Sequence, residues 1–224
     1  MTPWIVVAVY FVLGGIATAI INKRKPEGAK ERWVKYIVYF FVVSGMMTII
    51  SLDQLFWAAL VLFAVGMYEV IRVGSGITRM VGLFVFFATG IMFVIFSGVK
   101  IWPTQLAIYI TVLTFDGFAQ IAGQLFGKNK LASKISPGKT IEGLIGGFVM
   151  AVVTAILIGP FSITANIGLA ISVCMAALAG DLLASYYKRK CGVKDYSHLI
   201  PGHGGVLDRF DSFIFAGASI WLLT

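Results

Sequence analysis

Charge is scarce in this chain. Only 12% of its 224 residues are Asp, Glu, Lys or Arg, whereas 59% are hydrophobic. That balance excludes disorder, because a chain stays unfolded when hydrophobicity is low and charge is high. It also excludes a water-soluble globule, since soluble domains carry about 25% charged residues. Cysteine is nearly absent. Cys174 sits in an apolar run and Cys191 in a basic loop, so neither a disulfide framework nor a zinc site is expected. Acidic residues number 10 against 18 Lys and Arg, for a formal net charge of +8. Recognition of nucleic acid would need a basic face on a soluble domain, so no nucleic-acid partner is expected. In a membrane protein the excess marks cytoplasmic loops instead. Strand-like alternation, internal repeats, low-complexity segments and a Walker G-x-x-x-x-G-K-[ST] sequence are all missing.

Long apolar runs are what the chain has in quantity. They cover about 4–21, 34–51, 55–71, 80–99, 101–115, 141–159, 163–184 and 206–224. A helix needs about 20 apolar residues to cross a bilayer. The expected fold is an all-α, polytopic membrane bundle of about eight transmembrane helices with no large soluble domain. The fifth run is short and is expected to continue past Asp116 to about Leu125, and a carboxylate inside a span is a functional hint. No Lys or Arg precedes the first run, while Lys23, Arg24 and Lys25 follow it, which predicts an N-terminus outside. Alternation then puts all but Lys100 of the 18 basic residues inside. The protein is therefore expected to be integral to the cell membrane, with its active site facing the cytoplasm. Residues 1–115 read as N-terminal membrane helices with almost no chemistry to offer. Glu69, near a span end, is expected to snorkel or to pair with Arg72. Residues 116–224 read as the catalytic half, with cytoplasmic loops 126–140 and 185–207.

Two polar stretches carry the chemistry. In the second, Asp208 and Asp211 stand three apart on one helical face, so both carboxylates can reach a single cation. Asp181, at the end of the preceding helix, can supply a third oxygen. Three carboxylates beside Lys188, Arg189, Lys190, Lys194 and Arg209 have the character of a magnesium and phosphate site. Pro201-Gly202-His203-Gly204-Gly205 permits positive φ, so its N–H groups can form an anion-holding concavity, with a helix N-terminus following. The first stretch includes Asp116 and Ser136-Pro137-Gly138-Lys139-Thr140-Ile141-Glu142-Gly143. There Ser136 suits an N-cap with proline at the first helical position, Thr140 or Glu142 can join the same network, and Ser136 and Lys139 can contact a nucleotide or phosphate. His198 reads as a loop residue and His203 as ambiguous.

The string from Ser185 to Asp211, S-x-x-K-R-x-x-x-x-K-D-x-x-x-x-x-P-G-H-G-G-x-x-D-R-x-D, resembles the signature of the CDP-diacylglycerol synthases, or phosphatidate cytidylyltransferases. Ser136-Pro137-x-Lys139-Thr140-x-Glu142-Gly143 is similar to that family's upstream motif, and Asp116 and Gly127-Lys128 resemble the start of the same half. Ala184 and Gln124 depart from the usual Glu and the usual Arg or Lys. The resemblance implies Mg²⁺-dependent conversion of CTP and phosphatidate, a membrane lipid, to CDP-diacylglycerol and pyrophosphate. It implies Asp181, Asp208 and Asp211 as metal ligands, and Lys188, Arg189, Lys194 and Arg209 on phosphates. Ser136, Lys139, Ser185, Asp116 and the His203, Gly204 and Gly205 loop would hold substrate. A second, monovalent cation (K⁺) and a homodimer are implied as well. The competing readings are a CTP-dependent lipid kinase, a related lipid cytidylyltransferase and, outside enzymes, a membrane transporter. A transporter predicts ionisable residues strung along a path through the membrane, whereas these cluster on one side.

Overall fold

The computed structural model describes residues 2–24, 26–99 and 101–223. Lys25 and Lys100, both used above to orient the chain, lie outside the described residues. The chain forms α1 (Pro3–Arg24), α2 (Ala29–Ser51), α3 (Leu55–Val73), α4 (Gly76–Gly98), α5 (Trp102–Phe126), β1 (Lys130–Ala132), β2 (Ser136–Thr140), α6 (Ile141–Ile158), α7 (Ile163–Lys190) and α8 (Leu207–Leu223). Helices α1 to α7 are long and apolar enough to cross a membrane, and α8 has 17 residues. The protein is an all-α polytopic membrane bundle with the expected eight helices, and α5 does run through Asp116 to Phe126.

Helix α5 is the central post. Half of its most apolar stretch is buried, against 11–28% for the other spans. It meets α6 through small residues. Gly143 and Gly147 face Ala119 and Gly123, and a Cβ built at Gly147 would lie 2.8 Å from the Ala119 methyl. Without a hydrophobic drive between helices in lipid, such close backbone approach is what gains dispersion energy. Several polar groups inside the bundle pair with backbone or with one another. Gln105 is buried and its amide donates to the carbonyls of Phe96 and Val99 at 3.1 and 2.9 Å, closing the C-terminal end of α4. Tyr10 on α1 and Thr154 on α6 share a hydroxyl hydrogen bond of 2.7 Å.

The 127–140 connection corrects the sequence reading twice. It contains an antiparallel hairpin, with Lys130 opposite Thr140 and Ala132 opposite Ser136, although no alternation announced one. Ser136 is thus a strand residue, not the cap of α6. The cap is Thr140, whose hydroxyl accepts the Gly143 N–H at 3.1 Å, and helix begins at Ile141. Glu142 braces the approach to the hairpin by accepting the N–H groups of Lys128 and Asn129 and the Asn129 amide.

Contacts gather the polar segments at one end of the bundle. Tyr187 of α7 donates to the Val70 carbonyl of α3, Tyr39 of α2 stacks on His203, and Lys139 of β2 forms an ion pair with Asp181 of α7.

Candidate active site

Two carboxylate clusters lie side by side where α8 begins. The first is closed. Asp208, in the first turn of α8, accepts the Lys188 ammonium at 2.6 Å on one oxygen, and the N–H groups of Tyr196 and Gly205, both at 2.8 Å, on the other. Its side chain is 2% exposed and that of Lys188 9%, so both charges are withdrawn from water and depend on each other. The Lys188 ammonium also lies 5.0 Å from the centre of the Tyr196 ring. Burial, with Asp211 and Asp208 next, pushes the Tyr196 phenol far up and keeps it neutral. Beside this pair, Glu69 reaches across from α3. It accepts the N–H groups of Val206 at 3.0 Å and Leu207 at 2.8 Å and the Ser197 hydroxyl.

The glycines of the 201–205 loop make this possible. Gly202 and Gly204 take φ of +73° and +85°, a region an L side chain resists. A Cβ at Gly205 would lie 2.5 Å from a Glu69 oxygen. The expected anion-holding concavity exists, but the protein's own carboxylates fill it. Gly205 N–H goes to Asp208, and the first N–H groups of α8 go to Glu69. Gly204 serves as loop geometry, its carbonyl accepting from Ile200 at 2.8 Å.

The second cluster is open. Asp116 from α5, Asp181 from α7 and Asp211 from α8 act on one another electrostatically, with Lys139 the cation acting on Asp116 and Lys188 the one acting on Asp211. Asp181 has the Lys139 ion pair and a 3.3 Å hydrogen bond from Ser185, one turn on. Among the described residues the hydrogen bond that Asp211 accepts is from the Ser212 N–H, at 2.7 Å. A crevice between α2, α5 and α8 joins this cluster, lined by Tyr39, Tyr109, Asp116, Arg209, Phe210 and Phe213.

Lys139 lies in the Ser136–Gly143 stretch and Asp181 one turn before the Ser185–Asp211 stretch, the two that resemble the family's motifs, and the whole of α6 and most of α7 separate them. Comparison with known proteins gives the same direction. The cytidylyltransferase family matches residues 1–224. The chain belongs to that family. Among its relatives, phosphatidate cytidylyltransferase of Haemophilus influenzae is 47% identical over 120 residues, 50% of this chain and 42% of that protein. The enzymes of the same name from Rickettsia bellii and Rickettsia typhi are 34% and 35% identical over 91% of this chain and 97% and 100% of their own lengths. The match thus spans under half the length of the first relative and nearly all of the other two.

In this cytidylyltransferase the remaining expected site residues divide. Arg209 is exposed at the crevice, its Nε donating to the His203 carbonyl at 3.0 Å. Arg189 spends its guanidinium on the carbonyls of Ile135 and Val193, at 3.4 and 2.9 Å, tying the hairpin to the loop. Lys194 is exposed, and Ser136 is half-buried in β2. Lys188, expected on a phosphate, forms an ion pair with Asp208. His203 stacks on Tyr39 with ring centres 6.0 Å apart. Its imidazole is held below the ordinary range, first by burial and then by Arg209 and Lys35, against a backbone hydrogen bond to Pro201.

Magnesium must be judged on these oxygens. Among the described residues no three His, Cys, Asp or Glu side chains are disposed to hold a metal ion. The expected trio of Asp181, Asp208 and Asp211 is therefore not assembled, because Asp208 has spent both oxygens on Lys188 and two backbone N–H groups. Asp211 has its carboxylate nearer to free, while Asp181 has one oxygen on Lys139 and the other on Ser185. Magnesium usually takes one or two protein carboxylates and completes its shell with phosphate oxygens and water. Asp208 can join them only by releasing Lys188. Two further residues near the site had no site role in the sequence reading, which named Glu69 only as a snorkelling residue or a partner of Arg72. Tyr39 forms part of the crevice wall, and Glu69 is fully buried rather than snorkelling, while Arg72 is exposed.

Proposed function

We propose that this protein is a phosphatidate cytidylyltransferase, joining CTP and phosphatidate to give CDP-diacylglycerol and pyrophosphate at the open carboxylate cluster. The observation that supports the reading is the ion pair between Lys139, in the upstream motif, and Asp181, one turn before the downstream motif. A phosphate oxygen of phosphatidate attacks the α-phosphorus of CTP. The new P–O–P linkage forms as the bond from the α-phosphorus to the bridging β-phosphate oxygen breaks, and pyrophosphate leaves with that electron pair. The phosphate oxygen is already a good nucleophile, so positioning and charge neutralisation are what the residues must supply.

Asp181 and Asp211 would hold Mg²⁺, which when bound neutralises triphosphate charge. Lys139 binds CTP phosphate once released from Asp181. Arg209, at the mouth of the crevice, meets the lipid phosphate with its planar fork. The apolar lower wall, with Phe210 and Phe213, suits the glycerol end of the lipid. Pyrophosphate and nucleotide enter and leave from water, so the site faces the cytoplasm and the N-terminus lies outside. The gathering of the basic connections at one end of the bundle supports that orientation. The homodimer rests on the resemblance alone.

Purified protein given phosphatidate, Mg²⁺, K⁺ and CTP labelled at the α- or the γ-phosphate tests the reaction. Label in the lipid from α-labelled CTP alone is expected. Label from γ-labelled CTP would make the protein a lipid kinase, and no label from either would remove the assignment. Orientation is read with Cys174 and Cys191 removed. Lys134→Cys should react with an impermeant thiol reagent only after permeabilisation, and Ser162→Cys in intact cells.

A further inference from the structure

The buried acid that this mechanism does not use is Glu69. It lies on α3 and is completely buried. A carboxylate at such a place is costly unless its oxygens are answered. They are answered by the loop and first turn that lead to Asp211. One oxygen takes the Ser197 hydroxyl at 2.5 Å and the Val206 N–H at 3.0 Å, and the other takes the Leu207 N–H at 2.8 Å. The first N–H groups of a helix have no partner within it, and negative charge there is favourable. Glu69 thus acts as an N-terminal cap for α8 supplied from a different helix. Gly205 leaves room for it, since a Cβ there would collide with the carboxylate. Ser197 sits ten residues before the start of α8, so one side chain clamps the loop and the helix it feeds. Arg209 and Asp211 follow within the next turn.

We infer that Glu69 is a positioning residue for cytidylyl transfer, its carboxylate fixing the first turn of α8 so that Arg209 and Asp211 face Asp181 and Asp116. The inference rests on the proposed function for the reaction, but not for the contact. A residue that merely stabilised the bundle would change yield and melting temperature while leaving each folded molecule with normal kinetics. A positioning residue changes the kinetics of the folded fraction, because catalytic geometry tolerates little displacement.

The test uses the full chain in lipid nanodiscs with Glu69→Gln and Ser197→Ala. Amide hydrogen exchange at Val206 and Leu207 should quicken by roughly tenfold or more in Glu69→Gln, the effect of losing a hydrogen bond to a charged group. Per folded molecule, kcat should fall by about 10- to 100-fold and the Mg²⁺ concentration for half-maximal rate should rise, as expected of a small misplacement of Asp211. Ser197→Ala keeps the carboxylate and both helix contacts, so it should fold and shift the same quantities the same way by less. Unchanged kcat and Mg²⁺ midpoint in folded Glu69→Gln would overturn the inference. Should that variant not fold, the same result in Ser197→Ala overturns it. Unchanged exchange at Val206 and Leu207 in Glu69→Gln also overturns it. Exchange needs no substrate, so a wild-type protein without cytidylyl transfer would defeat the functional reading separately.

Discussion

Asp208 and Asp211 sit one turn apart on α8, in the same short motif, yet in opposite surroundings. Around Asp208 every carboxylate oxygen is spoken for, by Lys188, by two backbone N–H groups and, next to it, by the contacts of Glu69. Around Asp211 the carboxylates of Asp116, Asp181 and Asp208 act on one another, with Lys139 near Asp116 and Lys188 near Asp211 as the cations. Saturated hydrogen bonding makes the first region part of the frame. Unbalanced negative charge makes the second a place that favours a cation and, through it, phosphate. Proteins commonly hold such unfavourable arrangements at functional sites at some expense of stability.

Changes in the open region should act on rate and binding. Asp181→Asn is expected to have the largest effect, lowering kcat at saturating substrates by about 10²–10³-fold, a loss typical of removing one electrostatic contact to the reacting group. Steady-state assays on folded protein check it, and turnover within a few fold of wild type would move the chemistry elsewhere. Lys139→Ala should raise the KM for CTP by roughly tenfold and that for phosphatidate much less, since a contact made equally in ground and transition states acts on KM. Equal rises for both substrates would make Lys139 a structural partner of Asp181 only.

The smallest effect belongs to the rim of the closed region. His203 has a lowered pKa, so the folded protein binds fewer protons there than the unfolded chain does. Its contribution is therefore fully present above the unfolded value of 6.5 and is lost as pH falls below it. His203→Gln should flatten that part of the stability profile, read as melting temperature against pH. A profile identical to wild type would remove His203 from the account.

The membrane helices were legible because burial in lipid requires long apolar runs, and their ends agree with the runs to within a few residues over much of the chain. The hairpin at 130–140 was not, since Ser136-Pro137-Gly138-Lys139-Thr140 has no alternation and its Pro suggested a helix start. Asp181, Asp211, Lys139 and Asp116 were singled out from residue type, spacing and resemblance, and the structure brings them to one end of the bundle. Spacing says nothing about which oxygens backbone N–H groups will consume, and so Asp208 and Asp211 looked alike. Glu69 was illegible for a related reason. Its partners lie 128 to 138 residues away, and the only local signal was an acid in an apolar helix.

The contrast between the two regions is tested most directly by melting temperature in metal-free detergent for Asp208→Asn beside Asp211→Asn. Asp208→Asn leaves the Lys188 charge buried without its partner and should cost about 3 kcal/mol, lowering the melting temperature by several degrees. Asp211→Asn removes repulsion from Asp116 and Asp181, so its melting temperature should equal or exceed that of the wild type. A comparable fall in both variants would contradict the division into a closed frame and an open site.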